Sequence, residues 1–236
     1  MDSIMLDELE QAWAMLNGDS SVRVIVNGAV GPTFNTGLDV KELSRNREAL
    51  KEQSRRTRDA TLKLTAWHMG VWKPVIAAVN GLCAGGGLHF VADADIVVVA
   101  PDAQFLDPHV SVGQVSAFET ITLARKIPME AISRMALIGR AERIDAGTAY
   151  RLGLCSQISL SSDSLHDECQ ALAETIARNS PAALAASKRA LWGAFEAGLT
   201  SACRSGSSEL VSVWGHPDQA EGPMAYAEGR EPEWQL

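Results

Sequence analysis

Residues 83 to 95 read CAGGGLHFVADAD, three consecutive glycines followed at one remove by His89. Adjacent glycines at the entry to a helix let backbone approach a ligand closely and present N–H groups without carbonyl partners, the arrangement that holds a developing oxyanion. A second glycine-containing turn, FNTGLD (34–39), can aim another free N–H at the same oxygen. Close packing of a helix on a sheet would use the same glycines, so the motif alone leaves both uses open. His89 lies in the first turn of the following helix, where the positive end of the backbone dipole disfavours imidazolium and leaves a neutral ring able to accept or donate a proton. Other chemistries lack their residues. Gly85 and Gly87 fill the first two places of a dinucleotide-binding GxGxxG, but the third falls on Phe90, and no GxxxxGK[ST], GxSxG or HExxH occurs.

The elements that must position this turn are legible in outline. Met5, Leu9, Ala12, Trp13 and Leu16 fall at helical spacing and Asn17-Gly18 closes that segment. Strands are expected at VRVIVNG (22–28), KPVIAAVNG (73–81) and DIVVVA (95–100), the last two joined as a parallel crossover. The charged stretch 41–67, with Leu43, Leu50, Leu62 and Leu64 widely spaced, predicts a long or broken helix with a solvated face. Beyond Pro108 the pattern is almost wholly helical. The fold class is therefore α/β, a core over 1–178 followed by a helical region over 179–236.

Composition bounds the partners. The 236 residues are 46% hydrophobic, enough for one sizeable core, and 29 acids against 21 bases give a formal charge of −8 with no basic run. That balance argues against nucleic acid or an anionic membrane and for a small-molecule substrate. Cys83, Cys155, Cys169 and Cys203 have no CxxC or metal-ligand spacing, so reduced, mostly buried thiols and no metal are expected. The acidic first residues resemble no signal peptide and no apolar run reaches membrane-spanning length, which predicts a cytoplasmic protein.

FNTGLDVKEL, KPVIAAVNGLCAGGG, DADIVVVAPDAQF and HPDQAEGPMAYAEGREPEW, in this order and spacing, resemble the crotonase (enoyl-CoA hydratase/isomerase) superfamily. Relative to that pattern the sequence begins inside a segment that family members usually precede with strands and an RPxxxNA motif. The resemblance implies a stack of ββα turns, a helical C-terminal region that assembles homotrimers or dimers of trimers, and an acyl-CoA thioester substrate whose coenzyme A is the only cofactor-like group. It places the oxyanion hole on the backbone N–H groups of Leu38 and Gly86, with Gly85 beside them, and matches Lys41 to a lysine at the CoA entrance, although a solvated helix lysine fits that position equally. At the two acid/base positions, where a hydratase carries glutamates, this sequence has His89 and His109, twenty residues apart as in the family. Glu119 could orient an imidazole or simply complement a helix N-terminus. Leu38, Leu88 and Phe118 are candidate apolar walls of the pocket, or core. The implied reaction is of the hydratase/isomerase type. Hydrolysis of a carbon–carbon bond in a β-dicarbonyl compound and CoA binding without catalysis are the alternatives.

Overall fold

The computed structural model describes residues 1–235 apart from the side chains of Val40, Leu43 and Leu50, so the expectation for Leu43 and Leu50 lies outside the described residues. The chain opens with α1 (Ser3–Gly18), β1 (Ile25–Asn27) and β2 (Thr33–Asn35), then α2 (Val40–Arg45) and α3 (Arg47–Arg58). It continues through β3 (Val75–Val79), β4 (Leu82–Ala84), α4 (Leu88–Ala92), β5 (Ile96–Val99), β6 (Gln104–Leu106), α5 (Phe118–Leu123) and α6 (Met129–Ile138). β7 (Ile144–Asp145), α7 (Ala146–Leu152), β8 (Gln157–Ile158) and α8 (Leu165–Ala177) complete the core, and α9 (Pro181–Gly193), α10 (Leu199–Ser212) and α11 (Asp218–Glu228) follow.

Successive strands alternate between two sheets. One is parallel throughout in the order β1-β3-β5-β8; the other runs β2-β4-β6-β7, with only β7 antiparallel. Each strand pair followed by a helix is thus one turn of a coil, and the turns stack through strand pairing, as in the Val75-on-Ile25 and Ile96-on-Ile76 registers. All five residues of β3 are buried because the strand is covered on both faces. Val75, Ala77 and Val79 enter the main core with Trp13, Phe34, Leu88 and Phe105, while Ile76 and Ala78 pack with Val98 under Leu165 and Cys169 of α8. Burial of a ring such as Phe105, with no exposed surface, stabilises the fold by about 1.5–3 kcal/mol.

Several elements differ from expectation. β2, β4 and β6 have three residues each, too short to carry a hydrophobic period; β1 is as short, but it lies within the strand-like run 22–28 that the sequence shows. The β3-to-β5 connection is parallel as expected, but it detours through β4 in the other sheet. The charged stretch is indeed broken, at Asn46, which caps α3 by accepting a hydrogen bond from the Ala49 N–H. On α1 the buried stripe contains Leu6 and Trp13, not Met5, which is exposed; the Trp13 indole donates to the Leu64 carbonyl at 2.9 Å. β7 and β8 interrupt the helical second half. Cys83, Cys155 and Cys169 are buried and Cys203 exposed, all as free thiols. Among the described residues no helix is long and apolar enough to cross a membrane.

α9 begins on a Ser180 cap with Pro181 in its first turn and leans on the core through Asp95, whose two oxygens accept from Lys188 Nζ (2.8 Å) and the Trp192 indole (2.7 Å). Beyond this seam Leu191, Leu199, Leu210, Trp214 and Tyr226 stand exposed.

Candidate active site

The three glycines form one 3₁₀ turn between β4 and α4, and each has its own task. Gly85 has φ +52°, a conformation that side-chain-bearing residues seldom adopt, and a Cβ on Gly87 would lie 2.1 Å from the Asn35 carbonyl oxygen. Gly87 is therefore the packing glycine, bringing α4 against the end of β2. Gly86 faces the FNTGLD turn: a Cβ there would sit 3.5 Å from Gly37 Cα and 3.9 Å from the Leu38 nitrogen. In that turn the Gly37 N–H donates to Asn35 Oδ1 (2.8 Å) and the Asp39 N–H to the Met1 carbonyl (2.7 Å). The Leu38 N–H between them donates to none of the described residues.

His109 comes to the same turn from the β6 side, its Cε1 3.8 Å from where a Gly85 Cβ would be. Its Nδ1 lies 2.6 Å from Asp107 Oδ1 and 3.1 Å from Glu119 Oε1. Asp107 has no exposed surface; it also accepts from the His109 backbone N–H at 3.0 Å and from the Ser116 hydroxyl. Glu119, in the first turn of α5, is buried, and its other oxygen is 3.5 Å from His89 Nε2. One carboxylate thus stands between the two imidazoles. Behind His89 the His68 ring packs edge to face, 5.4 Å between centroids. His68 Nδ1 is 2.9 Å from Thr65 Oγ1, and that hydroxyl donates to Asp93 Oδ2 at 2.7 Å.

Electrostatics separate the two histidines. Burial, reinforced by His68 and His109, pulls His89 down to about 3, so the ring is neutral. The sequence expected neutrality from the helix dipole, but α4 has only five residues and desolvation is the larger cause. His109 is raised, first by its hydrogen bond to Asp107 and then by Glu119, against some desolvation. Burial raises Glu119. For Asp107 burial acts upward, but hydrogen bonds from His109 and Ser116 and the His109 charge carry it below the usual carboxylate range. The site therefore pairs a neutral imidazole with one whose protonated form is favoured by the carboxylates on either side of it.

The other candidates scatter more widely. Leu38 and Phe118 are half-buried. Leu88 is a correction to the candidate pocket wall: it has no exposed surface and belongs to the core with Cys83, Phe90 and Phe105, all five residues of α4 being buried. Lys41 is exposed in the first turn of α2, whose cap Asp39 accepts from the Lys41 and Glu42 N–H groups. Sequence reasoning missed Asp107, Ser116, His68, Thr65 and Asp93. Asp107 precedes His109 by two residues and Asp93 follows His89 by one helical turn, signals that local spacing carries; the segment holding Thr65 and His68 reads as a solvated surface. Two side-chain triples have metal-ligand chemistry, His68/His89/Asp93 and Asp107/His109/Glu119. In the first the Thr65 hydroxyl already joins His68 to Asp93, and in the second the 2.6 Å nitrogen–oxygen contact is a hydrogen bond, closer than the roughly 3.4 Å that two donors about 2.0–2.2 Å from a tetrahedral ion would keep.

Two sheets fed by alternate strands, coiled about a glycine turn that faces a second turn with a free N–H, constitute a crotonase fold. The chain belongs to the enoyl-CoA hydratase/isomerase family, whose model matches residues 1–236. It is similar to (E)-benzylidenesuccinyl-CoA hydratase of Thauera aromatica, 31% identical over 95% of this chain and 86% of the relative. It is also similar to carnitinyl-CoA dehydratase of Proteus mirabilis, 29% identical over 99% and 89%. The crystal structure of an enoyl-CoA hydratase/isomerase from Mycobacterium paratuberculosis matches with a TM-score of 0.89 and 33% identity, over 100% of this chain and 89% of that one.

Proposed function

We propose that the protein processes an acyl-CoA thioester by hydratase/isomerase-type chemistry, with the Leu38 and Gly86 N–H groups holding the thioester oxygen as it becomes enolate-like. His89 acts as the neutral base toward water or the acyl carbon, and His109, cationic between Asp107 and Glu119, positions the water and supplies a proton. Each backbone donor stabilises the transition state by about 3–4 kcal/mol when it is aimed at the developing charge. The observation that carries this reading is Glu119, 3.5 Å from His89 and 3.1 Å from His109 beside the glycine turn. Coenzyme A enters as part of the substrate, with Lys41, Gly85, Leu38 and Phe118 as its candidate contacts.

A neutral base beside an imidazolium acid, in place of two carboxylates, also favours a second reading: water added to the carbonyl of a β-dicarbonyl substrate, followed by carbon–carbon cleavage. Purified protein offered crotonyl-CoA and, separately, a cyclic β-diketone and a β-keto thioester distinguishes the two. Hydration of crotonyl-CoA supports the first reading and ring opening or free-acid release the second. Thioester binding without turnover of any of them would sink both. The exposed apolar residues of α9 to α11 further support a homotrimer or a dimer of trimers. A concentration-independent monomer by light scattering would overturn that.

A further inference from the structure

The His89 carbonyl accepts the Asp93 N–H at 2.9 Å, but its ring, in a buried residue, makes no hydrogen bond to any described residue. A base in that position needs its ring plane fixed, usually by a partner on the second ring nitrogen. The neighbour that can do so is His68, edge to face against it, with a ring nitrogen of each histidine and an Asp93 oxygen all within 4.8 Å of one another. We propose that His68, held in one tautomer by Thr65 and Asp93, is a positioning residue for His89. This rests on the acid–base reading of His89 given above.

The tautomer follows from counting protons. A threonine hydroxyl has one hydrogen, and that of Thr65 goes to Asp93 Oδ2 at 2.7 Å. The Thr65 oxygen is then an acceptor for both of its remaining neighbours, the His68 backbone N–H at 3.4 Å and His68 Nδ1 at 2.9 Å. His68 therefore carries its proton on Nδ1 whenever Asp93 is ionised. Protonation of Asp93 reverses the chain: the acid donates to Thr65, Thr65 donates to Nδ1, and the ring proton moves to Nε2. The dipole lying against His89 turns round with it.

Asp93 is placed to make that change within an accessible pH range. Thr65 and His68 face it from the segment before β3, His89 from its own helix, Glu119 and Lys126 from α5 and the residues after it, and Lys188 from α9. Burial pushes its carboxyl up to about 6, against the Thr65 hydrogen bond and the Lys126 charge. His68, brought down to about 4 by burial, stays neutral throughout and can respond only by changing tautomer.

The test pairs a spectroscopic readout with a kinetic one. In the full-length protein with ¹⁵N-labelled histidine, His68 is expected as the Nδ1–H tautomer at pH 8, moving to Nε2–H as pH falls through about 6. In Asp93→Asn that movement is abolished. An Nε2–H ring at pH 8, or a wild-type tautomer that ignores pH, would overturn the proposal whatever the substrate proves to be. With crotonyl-CoA, His68→Phe and Thr65→Val, checked for folding by circular dichroism, are expected to lose about tenfold to a hundredfold in kcat with KM within about twofold, and Thr65→Ser to restore turnover. Should His89→Gln abolish turnover while His68→Phe retains wild-type kcat, the positioning role fails alone. Wild-type turnover in His89→Gln would instead remove the acid–base premise, and the proposal with it.

Discussion

His89 and His109 flank the same glutamate, yet the ring of one is buried without a hydrogen bond to any described residue while the other is half-buried and gripped by two carboxylates. Desolvation drives the first toward neutrality and hydrogen bonding drives the second toward charge. A shared residue type says little about protonation; the neighbours decide it. The division suits catalysis, because a base and an acid of the same chemical kind need environments that push them in opposite directions.

The largest effect that would break this comparison is at His89. His89→Gln is expected to lower kcat by about 10²–10⁴-fold while thioester affinity measured by calorimetry changes little, since the proposed oxygen donors are backbone groups. His89→Gln/His109→Gln should cost scarcely more than His89→Gln, because groups acting on one water are non-additive. Two independent, multiplicative losses would show that the histidines do not share a task.

Next in size is the grip on His109. Asp107→Asn removes a buried carboxylate that accepts hydrogen bonds from the His109 ring, the His109 N–H and Ser116. A loss of about 1.5–3 kcal/mol in unfolding free energy is expected, together with a lowered His109 pKa by NMR. An unchanged His109 titration would mean that Glu119 alone sustains the charge.

The pH dependence of stability separates the pair by sign. His109 is raised in the folded state, so its contribution is fully present below the unfolded value near ~6.5 and is lost as pH rises through the folded pKa. His89 is lowered to about 3, so its contribution is present above ~6.5 and is lost as pH falls from there toward 3. Melting temperatures of His109→Gln should therefore flatten the alkaline limb and those of His89→Gln the acid limb. With His89 lowered to about 3, a rate that declines as pH falls through about 6 is assigned to Asp93, whose carboxyl burial pushes up to about 6.

The smallest effect is expected at Lys41. Lys41→Ala should raise KM for a CoA thioester by a few-fold without changing kcat, and the difference should shrink as salt is added, as for any exposed charge. A fall in kcat would place Lys41 nearer the reacting atoms than its exposure suggests.

What the sequence determined by itself was the scaffold. The continuous apolar run of β3, the Gly85–Gly87 turn and the order of motifs specify α/β class, family and the position of His89, because backbone conformation and burial on two faces leave local marks. It also put imidazoles, His89 and His109, at the two positions where the family resemblance implies glutamates. The three-residue strands β2, β4 and β6 left no such mark, and Leu88 could not be assigned to core or pocket until the structure showed every residue of α4 buried. Only the tertiary structure decided the opposite directions in which the two imidazoles are pushed, the sharing of Glu119 between two rings, and the Asp93–Thr65–His68 chain. Those depend on distances of a few ångströms between residues up to 30 apart in sequence, and on the loss of water around them, and neither is encoded in local spacing.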